Sequence, residues 1–151
     1  MSAVPRKALG AAAVIFDAQG RVLLVKHTYG MLNWELPGGF AEADESPVDT
    51  ATREVREETG LTVTASRLTG VYYEPASPGI GGEMVHFVFL CQTPDERQAP
   101  RPAPPEIDRC EFWQVDNLPR PISDFTVRRI QDAGRPTTLL PLTIAARAWL
   151  V

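Results

Sequence analysis

The sequence predicts an α/β fold in one domain, residues 1–151. Three features point to it: a helix signalled at both ends between Ser46 and Gly60, a shorter helical segment from Ser123 to Ala133, and five strand-like runs set off by turn residues. At 151 residues the chain is long enough to bury a sizeable core. Composition is that of a globular protein, apart from 14 prolines.

Residues 8–17 form the first apolar run, and Asp17 to Gly20 reads as a turn. Arg21 to His27, with Val22-Leu23-Leu24-Val25 at its centre, follows as a second strand, so the pair is expected to form a hairpin. In Trp34-Glu35-Leu36-Pro37-Gly38-Gly39, two glycines after a proline allow a tight turn and a close approach of backbone to a ligand.

The helix begins with Ser46 as N-cap, Pro47 in the first turn and Asp49 placed for a capping box. Gly60 is placed to end it in a left-handed conformation. Val48, Ala51, Thr52, Val55 and Thr59 recur at helical spacing and are expected to be its buried stripe. Glu54, Glu57 and Glu58 share another face, where like charges cost roughly 0.2–0.5 kcal/mol per pair. A solvated acidic face relieved by Arg53 and Arg56 is one account. Hard divalent cations are the sharper one, because Mg²⁺ and Mn²⁺ take clustered carboxylate oxygens.

Leu61 to Tyr73 and Glu83 to Gln92 read as strands around a hairpin loop at Glu74 to Gly82. Thr93 to Pro105 is proline-rich and extended, Ile107 to Val115 is a short strand, and Asn117-Leu118-Pro119 a turn. In the second helix Phe125, Val127 and Ile130 make the apolar stripe, and Gly134 and Pro136 end it. The apolar tail from Leu139 to Val151 is open between strand and helix.

A net charge of -4 argues against a nucleic-acid polymer as main partner. Two cysteines, Cys91 and Cys110, make no disulfide framework and no zinc spacing, and read as buried free thiols of a reducing compartment. With no apolar signal segment after Met1 to Lys7 and no membrane span, a cytoplasmic protein is expected.

From Gly39 to Leu61 the residues resemble the Nudix box, Gly-x5-Glu-x7-Arg-Glu-U-x-Glu-Glu-x-Gly-U, with U an apolar aliphatic residue. Gly39, Glu45, Arg53-Glu54, Val55, Glu57-Glu58, Gly60 and Leu61 fill every fixed position. The Trp-Glu-Leu-Pro-Gly-Gly lead-in and the Glu-Phe-Trp-Gln-Val-Asp-Asn-Leu-Pro stretch extend the likeness loosely over most of the chain.

The resemblance to Nudix hydrolases implies an α/β/α sandwich with a mixed sheet and a loop-helix-loop catalytic motif. It implies Mg²⁺- or Mn²⁺-dependent hydrolysis of a diphosphate bond in a nucleoside diphosphate derivative, by water attack at phosphorus. By position, Glu54, Glu57, Glu58 and the Gly38 carbonyl look like the metal ligands, with Glu45 and Gly39 supporting. Arg53 resembles the arginine that orients the neighbouring glutamates. Glu58 is the first candidate for general base, then Glu106 in the proline-rich loop, then Glu111.

Trp34, Tyr73 and Phe125 are candidates to stack on a base, as are Tyr29 and Tyr72, with core packing the alternative for each. The expected partner is a small nucleotide-type diphosphate rather than a membrane, and family likeness admits a homodimer. The alternatives are a sensor of this fold that binds a nucleotide without cleaving it, and a related fold that isomerises a diphosphate.

Overall fold

The computed structural model describes residues 2–77, 79–136, 142–144 and 147–151, the stretch 142–144 by its backbone alone. Ten strands and two helices are described: β1 (Ala8–Ile15), β2 (Val22–His27), β3 (Trp34–Glu35), β4 (Gly38–Phe40), α1 (Pro47–Thr59), β5 (Thr64–Ser77), β6 (Gly82–Gln92), β7 (Ile107–Trp113), β8 (Ile122–Ser123), α2 (Asp124–Ala133), β9 (Leu142–Ile144) and β10 (Trp149–Leu150). They form an α/β/α sandwich whose central layer is two mixed sheets, ordered β4-β1-β6-β5-β9 and β10-β8-β3-β2-β7.

The alternating faces of β1 explain the layering. Ala11, Ala13 and Ile15 join Ala51 and Val55 of α1 in one apolar cluster. Ala12 and Val14 join Phe125, Ile130 and Ala133 of α2 in the other. A strand covered on both faces is an interior strand, and β1 runs parallel to β6 along its whole length.

That burial overturns the hairpin expected of β1 and β2. The turn is present, with Gly20 N–H donating to Asp17 O at 3.0 Å, but only a bridge between Phe16 and Val22 joins the strands. Beyond it β1 takes β4 and β6 as neighbours, and β2 takes β3 and β7. Each strand is buried on both faces and finds its backbone partners in a different sheet, β1 along β4 and β6 and β2 along β3 and β7.

β5 also continues past Tyr73, because its ladder with β6 pairs Glu74 with Met84 and Ser77 with Gly82. The loop expected at 74–82 shortens to the turn around residues 79–81, and Pro78 lies outside the described residues. In the tail β9 pairs with β5 and β10 with β8, so the tail is strand within the chain where described. Its residues 139–141 and 145–146 lie outside the described residues.

Both helices start as expected. Ser46 accepts from Asp49 N–H and Asp49 answers to Ser46 N–H, completing the capping box, and Gly60 sits at φ 72°. Ser123 caps α2 by accepting from Thr126 N–H at 3.1 Å. The buried stripe of α1 is turned from the expected one: Thr50, Ala51, Val55, Glu58 and Thr59 are buried, while Val48 is 39% exposed. The rotation carries Glu58 under the sheet.

The cysteines are free, Cys91 buried and Cys110 half-buried, and burial pushes both thiols up to about 12. Among the described residues no helix is long and apolar enough to cross a membrane.

Candidate active site

Strand β4 and helix α1 build the site between them. β4 pairs antiparallel with β1, setting Gly38 opposite Ala12 and Gly39 opposite Ala11. Both glycines permit a close approach, Gly38 to backbone and Gly39 to a side chain. A Cβ on Gly38 would stand 2.5 Å from Ala11 O. A Cβ on Gly39 would stand 2.4 Å from Glu54 Oε1. α1 therefore lies with its acidic face against bare backbone.

Glu58 is buried, and its Oε2 accepts from Gly38 N–H at 3.1 Å. Burial, then the charge of Glu54, push its carboxyl up to about 9. Burial also raises Glu54 above the ordinary carboxylate range, against the opposing pull of Arg53. Two carboxyl groups thus face the Gly38–Gly39 backbone, and the charge of Glu54 makes ionisation of Glu58 harder. That oxygen-only donor set, stacked on glycines and burdened by its own charge, fits a hard divalent cation.

Arg53 is the hub of the motif. Its Nε donates to Glu45 Oε1 at 2.5 Å, and its Nη2 to Glu45 Oε2 at 3.1 Å and to Phe40 O at 3.0 Å. Its Nη1 donates to Glu54 Oε1 at 2.9 Å and to Glu57 Oε2 at 3.0 Å. Glu45 is further held by Thr50 Oγ1 at 3.0 Å, and the Arg53 hydrogen bond brings its carboxyl down to about 2. The spacing of Glu45 and Arg53 in the chain thus becomes a clasp between the loop before α1 and the acidic face.

Glu54, Glu57 and Glu58 share that face without meeting at one point. Among the described residues no three His, Cys, Asp or Glu side chains stand close enough together to hold an ion. Glu57, with its side chain 57% exposed, is drawn to Arg53 while Glu58 turns to Gly38. Charge repulsion and the central guanidinium explain the spread.

Glu106 is exposed at the end of the proline-rich loop, where its carbonyl accepts from Thr28 N–H at 3.0 Å. Its charge is among those that raise Glu58 and Tyr29. Glu111 lies in β7, takes Arg109 Nε at 2.7 Å, and acts instead on Cys110.

A cleft of about 580 Å³ opens beside Gly38, Gly39 and Phe40. The aromatic candidates sort differently around it than expected. Trp34 is buried in the core, edge-on to Trp113 at 5.4 Å, and Phe125 is buried edge-on to Tyr72 at 5.5 Å. Neither presents a face for stacking, because the central strands and α2 need them as core. Tyr73 is half-buried outside the cleft, with its hydroxyl on Glu83 and Lys7 over its ring. Tyr29 is the one at the cleft rim, 54% exposed and stacked on His27 with ring centroids 4.7 Å apart.

The residues that sequence reasoning missed are Glu35, Glu74, Arg129 and Arg147, an ionic network at the cleft floor. The one signal for it was Glu35, a charged residue between the apolar Trp34 and Leu36.

Gly39→Ala gives the first test of this geometry. The clashing atoms belong to the end of a flexible side chain, so the fold should hold while Glu54 is displaced. The expected result is an unchanged melting temperature with turnover down by about tenfold or more, the loss of roughly one positioned contact. Full activity in this variant would show that Glu54 does not need its observed place.

Comparison with known proteins places the chain. The NUDIX domain matches residues 6–131. A MutT-like protein of Streptomyces ambofaciens is 40% identical over 88 residues, 58% of this chain and 53% of that protein. Phosphatase NudJ of Escherichia coli O1:K1 / APEC is 30% identical over 131 residues, 82% of this chain and 83% of that protein. The crystal structure of an ADP-ribose pyrophosphatase from Streptococcus suis 89-1591 superposes with a TM-score of 0.68 at 25% identity, covering 91% of this chain and 98% of that one. The chain spans about half the length of the first of these relatives and about a third of some others it matches.

Proposed function

Because the chain belongs to the NUDIX family, we propose that it is a hydrolase cleaving the diphosphate bond of a nucleoside diphosphate derivative, with Mg²⁺ or Mn²⁺ bound by Glu54, Glu57, Glu58 and the Gly38 carbonyl. The observation that carries this reading is the pair of carboxylates, buried Glu58 and half-buried Glu54, laid against Gly38–Gly39 beside a cleft, with Arg53 clasping Glu54. When bound, the cation neutralises the diphosphate oxygens and favours attack of water at phosphorus.

The protein's own groups then divide the work. Glu58, fixed by the Gly38 N–H, is placed to accept the proton of the attacking water. Glu106, in the loop whose carbonyl holds Thr28 N–H, is the second candidate for that proton. Arg53 keeps Glu54 and Glu57 in register and keeps Glu45 ionised, acting through them rather than on substrate. The names of the relatives, a phosphatase and an ADP-ribose pyrophosphatase, support a nucleotide-type substrate. The free thiols support a reducing, cytoplasmic setting.

The test is a panel of ADP-ribose, nucleoside triphosphates, dinucleoside polyphosphates, sugar nucleotides and coenzyme A, each with Mg²⁺, Mn²⁺ or chelator. At least one should be cleaved in a metal-dependent manner, with oxygen from labelled water in one phosphoryl product. Binding without any product would identify a sensor of the same fold instead.

A further inference from the structure

The floor of the cleft is made of ions whose charges cancel. Arg129 Nη2 donates to Glu35 Oε1 at 2.6 Å. Arg147 donates through Nη1 to Glu35 Oε2 at 3.5 Å and through Nε to Glu74 Oε1 at 3.2 Å. Glu74 Oε2 lies 3.1 Å from His86 Nε2. Two guanidinium groups offset two carboxylates, and burial holds His86 below its ordinary value and so neutral at pH 7. Glu74 is fully buried behind the cleft, whereas Glu35, His86, Arg129 and Arg147 line it.

This arrangement selects what can enter. A phosphate group finds no net positive charge at this end, so the anionic part of a substrate belongs at the glutamate end, where a cation can compensate it. Glu35 Oε1 is already taken by Arg129, by Thr126 Oγ1 at 2.7 Å and by Leu36 N–H at 2.8 Å. The network therefore presents donors. Among the described residues, Arg129 Nη1 and Arg147 Nη2 have no acceptor. Arg147 is also held flat, its guanidinium 5.3 Å from the Phe125 ring and 5.6 Å from the Trp149 ring. The rim adds the exposed face of Tyr29.

We infer that this cleft takes the uncharged heterocyclic base of the substrate, with Arg147 as the specificity-determining residue, donating to a ring nitrogen or carbonyl oxygen, and Tyr29 stacking at the rim. The inference rests on the nucleotide hydrolase reading above and adds which half of the substrate lies where. A guanidinium donor favours bases that present an acceptor there over those that place an amino group there.

Calorimetry without metal tests it, using adenosine, guanosine, uridine and ribose 5-phosphate as probes. At least one nucleoside should bind, and ribose 5-phosphate should not. Tyr29→Ala should weaken that binding by about tenfold and Tyr29→Phe should retain it. Arg147→Lys keeps the charge but not the fork, and should weaken the preferred nucleoside by about tenfold while narrowing the spread among the three. Tyr29 is exposed, so its variants report even if Arg147→Lys fails to fold. No nucleoside binding up to about 10 mM, a free energy short of roughly 3 kcal/mol, would overturn the inference. So would tight ribose 5-phosphate binding, or nucleoside binding indifferent to Tyr29→Ala. Turnover is not the readout: an inactive protein that binds nucleosides as described sinks the hydrolase reading alone, and an active one that ignores these substitutions sinks this one alone.

Discussion

Glu58→Gln should lower kcat by about a thousandfold while leaving the protein folded. A positioned general base contributes roughly 10² to 10⁴, and loss of a metal-binding oxygen adds to that. The amide oxygen of glutamine can still accept from Gly38 N–H, so β4 and α1 keep their contact. Glutamine is also neutral, the state that burial and Glu54 already favour for Glu58. Melting temperature without metal should therefore be equal to or above that of the wild type. With Mg²⁺ the order should reverse, because a ligand at 100 times its Kd stabilises by about 2.7 kcal/mol only the protein that binds it. Glu57→Gln should also lose turnover, without a stability gain, since Glu57 is exposed and, among the described residues, its side chain is bonded to Arg53. The assignment of the site fails if the double variant keeps full Mg²⁺-dependent activity on a substrate that the wild type cleaves.

Glu35→Ala should destabilise the protein by about 3–5 kcal/mol, the usual cost of stranding a buried ion. Arg129, with its side chain 3% exposed, would lose its carboxylate, and Thr126 Oγ1 and Leu36 N–H would lose their acceptor. In a domain of this size that corresponds to a drop in melting temperature of about 10 °C. The pH dependence follows from the same contacts. Burial opposes ionisation of Glu35, but Arg129 and then Arg147 outweigh it and hold the carboxyl below its ordinary 4.5. Its folded-state pKa is depressed, so its stabilisation is complete above pH 4.5 and is lost as pH falls through the folded value. Urea unfolding at pH 7 and at pH 3 should show a wide gap between wild type and variant that narrows in acid. An equal gap at both would mean that packing, not charge, is what Glu35 supplies. Because Leu36 leads straight to Gly38, some loss of turnover should accompany the loss of stability.

Much of the candidate site was legible before any coordinates. The capping box of α1, its left-handed Gly60 and the spacing of Gly39, Glu45, Arg53, Glu54, Glu57 and Glu58 all lie within 23 consecutive residues. Helix geometry converts such spacing into shared faces almost without reference to the rest of the chain. The need for two glycines before the helix was also visible, though not that one serves Ala11 O and the other Glu54.

Other features depended on partners far along the chain. Whether β1 pairs with β2 was decided by β6, more than sixty residues away, which offered a full-length parallel edge. Whether Trp34 and Phe125 meet a ligand or the core was decided by how α2 lies on the sheets, since an aromatic ring serves either use equally well. The network of Glu35, Glu74, Arg129 and Arg147 draws on β3, β5, α2 and the segment before β10, and no spacing announces it. The sequence by itself determined the helix, its caps and the set of carboxylates, because those rest on local backbone geometry. Only the tertiary structure decided which of these carboxylates are buried, what the cleft beside them offers a ligand, and which aromatic ring stands at its rim, because burial and ion pairing are properties of segments brought together by packing.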